Sequence, residues 1–111
     1  MPNNKKYLSM LGMARRAGKL SMGHDMAMKS VKTRKAKLLL FACDISSRLI
    51  DEFDFAADKY FPELVCIKLE ESISELHMAL GYKAGVITVD DVNFSNRIIE
   101  LINQEENEYG N

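Results

Sequence analysis

Tyr7, Met10, Leu11, Ala14 and Ala17 recur at three- and four-residue intervals. That spacing lines one face of an α-helix, and Gly18 supplies its stop. A short stretch, Leu20 to Met22, leads to Gly23, behind which Ala27, Met28 and Val31 predict the buried face of a second helix. Met26, Lys29, Ser30 and Thr33 fall on its opposite side, which is expected to meet solvent. Ala36 to Cys43 is then apolar almost throughout and short, the pattern of a strand covered on both faces.

Asp44 and Ser46 stand where an N-cap belongs, and Leu49, Ile50, Phe53, Ala56, Ala57 and Tyr60 repeat behind them at helical spacing. Pro62 ends that helix, and Leu64 to Leu69 reads as the next strand. Ser72 with Glu75 three residues on forms a capping-box pattern for a short helix through Leu80, stopped by Gly81. Gly85 to Val89 predicts another buried strand, and Phe94, Ile98, Leu101 and Ile102 line a last helix starting at Asp91 or Asn93. The polar tail from about Glu105 is expected to fray. Helices alternating with short, doubly apolar strands predict an α/β chain, a three-layer α/β/α sandwich forming a single domain over residues 1–111.

Composition changes this picture little; charge changes it more. The net charge of −1 hides a division along the chain. The first 37 residues hold ten basic side chains and one acidic, net +9, and the remainder hold five basic and fifteen acidic, net −10. A local excess of this kind attracts polyanions regardless of the overall sum. Gly23 and His24 open the second helix, where free backbone N–H groups and the positive end of the dipole favour an anion, with Lys29 and Lys32 following. Lys5, Ser9, Gly12 and Arg16 share the polar face of the first helix and extend the basic surface. Met26 is apolar where solvent is expected, so it either packs on a neighbouring element or lies against a base or ribose.

Catalysis finds no constellation to support it. There is no GxSxG, no phosphate-binding glycine loop and no paired-histidine metal motif. His24 and His77 lie on different helices, and Asp51, Glu52, Asp54 and Asp58 read as a solvated face. Cys43 and Cys66 each sit inside an apolar run, so both thiols are expected to be buried and reduced, without disulfide or metal. No apolar run is long enough to span a bilayer, and no h-region follows the polar Met1 to Lys6, so a cytoplasmic protein is expected.

Four segments, YLSMLGMARRAGKLSMG, GHDMAMK, AKLLLFACDIS and LHMALGYKAGVITVDDVNF, together resemble the bacterial, YlxQ-type branch of the L7Ae/L30e ribosomal protein family. The resemblance runs from about residue 7 to residue 102. It implies an α/β/α sandwich around a mixed four-stranded sheet, and a non-enzymatic RNA-binding protein of ribosomal-protein type, several relatives recognising kink-turns. It further implies a two-part grip. The start of the second helix, Gly23, His24, Asp25, Met26 and Lys29 with Lys32, would meet sheared G·A pairs. The loop after the fourth helix, Gly81, Tyr82, Lys83 and Ala84, would pack on flipped-out nucleotides. Arg15, Arg16, Lys29, Lys32 and Lys83 would supply phosphate contacts, and Tyr82 either stacks on an unpaired base or packs at the helix end.

The sequence departs from the family's Gly-x-Asn-Glu-x-x-Lys pattern at two positions, Asp25 for Asn and Met26 for Glu. An ionised Asp only accepts hydrogen bonds, and Met offers no comparable acceptor. His77 also replaces a family glycine. These expectations name structured RNA, ribosomal or another non-coding RNA, as the partner, with no cofactor, metal, membrane or small-molecule substrate. The alternative reading is a protein–protein interaction module on the same fold that has lost kink-turn recognition.

Overall fold

The structure, a computed structural model, describes residues 5–109, with side chains described as far as Glu105. Its elements are α1 (Lys6–Arg16), β1 (Leu20–Met22), α2 (His24–Lys32), β2 (Leu38–Phe41), α3 (Ser47–Tyr60), β3 (Cys66–Lys68), α4 (Ile73–Leu80), β4 (Val86–Val89) and α5 (Val92–Tyr109). The strands form one mixed sheet in the order β1-β4-β2-β3. β4 pairs antiparallel with both β1 and β2, while β2 and β3 run parallel.

Alternation along the central strands assigns their side chains to two cores. Leu38, Leu40, Ile87 and Val89 pack with Tyr7, Leu11, Leu76 and Ile98, under the layer made by α1, α4 and α5. Leu39, Phe41 and Val86 pack with Ala27, Val31, Phe53 and Ala57, under α2 and α3. β2 and β4 are buried at every position because both faces are covered. Phe53 anchors the second core edge-on to Phe41, ring centroids 6.1 Å apart, and burial of such a side chain stabilises by roughly 1.5–3 kcal/mol.

The helix ends follow their sequence signals. Ser46 caps α3, accepting from the Leu49 amide at 3.2 Å. Ser72 and Glu75 close the capping box of α4, at 3.1 and 2.9 Å. Asp44 reaches across to the Ile73 amide (2.9 Å), tying the turn after β2 to the start of α4.

Four expectations are corrected. The Leu64–Leu69 run is not a strand buried on both faces: β3 lies at the sheet edge and exposes Cys66 and Lys68. Both cysteines are exposed free thiols, Cys43 because it sits in the turn beyond β2 and Cys66 because its strand is an edge. Ser30 is buried rather than solvated, because a carboxylate from the end of β4 waits for it. The polar run from Glu105 is helical as far as it is described, since α5 continues to Tyr109.

Two polar clusters tie the layers together. Asp90, just past β4, accepts from Ser21 of β1 (2.5 Å), Ser30 of α2 (2.6 Å) and Thr88 of β4 (2.8 Å). Glu71 is fully buried, yet accepts from the Tyr7 hydroxyl at 2.8 Å and pairs with the Lys5 ammonium at 3.1 Å. Burial and this carboxylate hold the Tyr7 phenol well above its usual range. Partial burial works against the Lys5 ammonium, but Glu70 and Glu71 together hold its proton more tightly than usual.

Candidate nucleic-acid interface

β1 delivers the chain to Gly23, which turns with φ 93°, a conformation that a side chain would strain. The Gly23 amide donates to the Val86 carbonyl at 3.0 Å, so α2 begins beside the first residue of β4. The helix starts with the Ala27 amide donating to the Gly23 carbonyl (3.0 Å), and no side chain caps its first turn. Those N–H groups carry the positive end of the helix dipole toward solvent.

The loop leading into β4 lies on the same end of the sheet. Gly81 caps α4 in the left-handed conformation, φ 79°. Tyr82 and Lys83 then stand out, Tyr82 with 47% of its surface exposed, so it is not a packed aromatic. Ala84 returns to the core at 5% exposure, and only backbone is left to meet a ligand there. At Gly85 a Cβ would fall 2.6 Å from Ile45, so the loop can close on the turn after β2 only as glycine. Arg15 joins the group from α1, its Nη1 lying 3.9 Å from where a Cβ on Gly81 would sit.

The structure therefore brings together the α2 start, the α4–β4 loop and Arg15. Met26, Asp25, Lys29 and Lys32 are exposed along α2, with Met26 at 58%. Arg16 is exposed but folds back along its own helix toward Gly12. Lys5 is withdrawn from the basic face into its pairing with Glu70 and Glu71. His24 does not stand free to meet an anion. Its ring bonds Asp25 (3.1 Å) and Glu52 of α3 (3.0 Å) and sets its edge against Phe53, centroids 5.5 Å apart. The hydrogen bonds to Asp25 and Glu52 raise its pKa above the usual imidazole value.

One feature escaped the sequence reading. α2 and α3 border an open groove of about 740 Å³, lined by Met28, Lys29, Lys32, Phe55, Lys59 and Tyr60 among others. Phe55 is 71% exposed. Its signal was present, because Phe55 falls outside the Phe53, Ala56, Ala57, Tyr60 face and so had to point away from the core. Among the described residues no group of His, Cys, Asp and Glu could hold a metal ion. No described helix is long and apolar enough to cross a membrane.

The mixed sheet in this order, with three helices on one side and two on the other, defines an α/β/α sandwich shared by two solved structures. One is a protein with unknown function from Bacillus halodurans C, with TM-score 0.79 and 27% identity, covering 90% of this chain and 99% of that one. The other is the Giardia lamblia 15.5kD RNA binding protein, at TM-score 0.70 and 17% identity over 87% of this chain and 82% of that one, a likeness of fold alone. The sequence narrows the class: residues 5–89 match the Ribosomal protein L7Ae/L30e/S12e/Gadd45 family, and the chain belongs to that family. It is similar to the RNA-binding protein YlxQ of Bacillus subtilis (strain 168), 33% identical over 98 residues, 87% of this chain and 95% of the relative. The RNA-binding protein YlxQ of Enterococcus faecium is 29% identical over 100 residues, covering 90% and 94%.

Proposed function

We propose that the chain binds structured RNA of the kink-turn type, without catalysis, through the start of α2 and the α4–β4 loop. The observation that carries this reading is the junction of the two parts: the Gly23 amide on the Val86 carbonyl sets the uncapped α2 start beside that loop. Arg15 and Lys83 stand at the α4–β4 loop, Lys29 and Lys32 carry positive charge along α2 for phosphates, and Tyr82 offers a ring to an unpaired base. Membership of a ribosomal-protein family and relatives named as RNA-binding proteins support the same partner. Arg16 lies at the margin of this surface. Asp25 accepts but cannot donate, and Met26 does neither well. Backbone amides and phosphate contacts therefore carry more of the affinity than base-edge reading does.

The test is binding of a kink-turn RNA across a salt series. Lys29→Ala should weaken binding and flatten the log-affinity against log-salt slope by about one unit. Equally poor affinity for kink-turn and plain duplex RNA at low salt would overturn the reading.

A further inference from the structure

We infer that the groove between α2 and α3 takes an unpaired RNA strand that continues from the structured element held at the α2 start. This inference rests on the RNA-binding reading and extends its footprint. The groove offers what single-stranded nucleic acid requires, an aromatic face for a base beside cations for the phosphates. Phe55 supplies the open face. Tyr60 holds the cations in place: the Lys32 and Lys59 ammonium groups lie 5.8 and 5.4 Å from its ring centroid. Among the described residues neither of these lysines, nor Lys29, takes part in an ion pair.

Continuity favours RNA over a protein partner. Lys29 and Lys32 stand on the helix whose start forms the proposed interface and also line the groove, so a strand leaving the first meets both cations once it has passed the His24 end. The groove's carboxylates, Asp25 and Glu52, stand at its α2-start end, where both are engaged by His24, and the rest of the groove carries the lysines. An apolar peptide laid along the same floor would bury three ammonium groups without anionic partners, at a desolvation cost that phosphates remove.

The experiment compares a blunt kink-turn RNA with the same RNA carrying about four uridines at its 3′ or its 5′ end, by fluorescence anisotropy on the full chain. One of the two extensions should tighten binding by about fivefold or more. Phe55→Ala should abolish that gain while leaving the blunt RNA unaffected, and 5-iodouridine in the extension should crosslink to Phe55 or Tyr60. No gain from either extension overturns the inference, as does a gain that survives Phe55→Ala. An abasic extension that matches the uridine one would assign the gain to phosphates alone and overturn it as well. If the blunt RNA itself does not bind, the RNA-binding reading fails; if it binds and the extension adds nothing, only the groove assignment fails.

Discussion

Removing the Asp90 carboxylate isolates three hydroxyl groups at once. Ser30 and Thr88 donate to its Oδ1 at 2.6 and 2.8 Å, and Ser21 donates to Oδ2 at 2.5 Å. All three serine and threonine side chains are buried. A bond to a charged acceptor is worth about 1.5–3 kcal/mol, and an unsatisfied buried group costs about 1–3 kcal/mol. The full loss is not expected in Asp90→Ala, because two hydroxyls have substitutes. Ser30 can turn to a carbonyl of its own helix, and Ser21 and Thr88 are direct cross-strand partners that can bond each other. Destabilisation of about 2–4 kcal/mol remains, a large share of the ~5–15 kcal/mol typical of a domain. Asp90→Asn keeps one acceptor oxygen, and its amide can donate to a hydroxyl that turns round, so it should lose only about 1 kcal/mol. Thermal and urea unfolding followed by circular dichroism would measure both, with Asp90→Ala lowering Tm by roughly 10–20 °C. RNA affinity well below that Tm should be unchanged, since Asp90 lies about 13 Å along β4 from Val86 at the proposed recognition end. An alanine variant that melts within a few degrees of the parent, or an Asn variant that loses as much as Ala, would refute the clamp.

The His24 bridge predicts a pH dependence. Its raised folded-state pKa means the contribution is complete below about 6.5, the unfolded value, and is lost as pH rises through the folded value. Stability should therefore fall slightly between pH 6 and pH 8.5, by at most about 1 kcal/mol because the pair is solvent-screened. His24→Gln should flatten that slope, and an identical slope in the variant would dismiss the bridge. The two thiols should differ in reactivity. Although residue Cys66 is exposed, its sulfur is partly buried and turns back toward the Leu64 carbonyl, and this burial, helped by Asp54 and Asp58, pushes its pKa up to about 11. Thiolate is the reacting species, so a maleimide or disulfide reagent near pH 8 should label Cys43 first. Peptide mapping that finds Cys66 modified as fast would contradict this.

Local chemistry was legible in the sequence, and long-range chemistry was not. The capping box of α4, the Ser46 cap and the exposure of Met26 follow from neighbours within one turn of helix. Ser30 went astray because a helical projection sends every polar residue outward, whereas its acceptor arrives from sixty residues further along. Cys66 went astray because an apolar run gives strand propensity but not strand order, and order alone decides which strand becomes an edge. Glu71 carries no local mark of burial; its two partners, Lys5 and Tyr7, sit at the opposite end of the sequence. In the candidate site, charge and helix dipole pointed to the α2 start, but the pairing of His24 with Glu52 depended on how α3 packs.

The position of β4 has a consequence for how the protein is made. It is the last strand to be synthesised, yet it lies between β1 and β2. A nascent chain that ends beyond β3 can form the parallel β2–β3 pair, while β1 still waits for its partner. The Gly23 amide likewise waits for Val86, and Ser21 and Ser30 wait for Asp90. Non-local pairing of this kind defers the gain until the loops have closed. Residues 86–90 complete the sheet, seat the α2 start and set the clamp, so all three depend on the last strand. Translation halted before Val86 would leave a chain with neither the proposed recognition surface nor the scaffold beneath it.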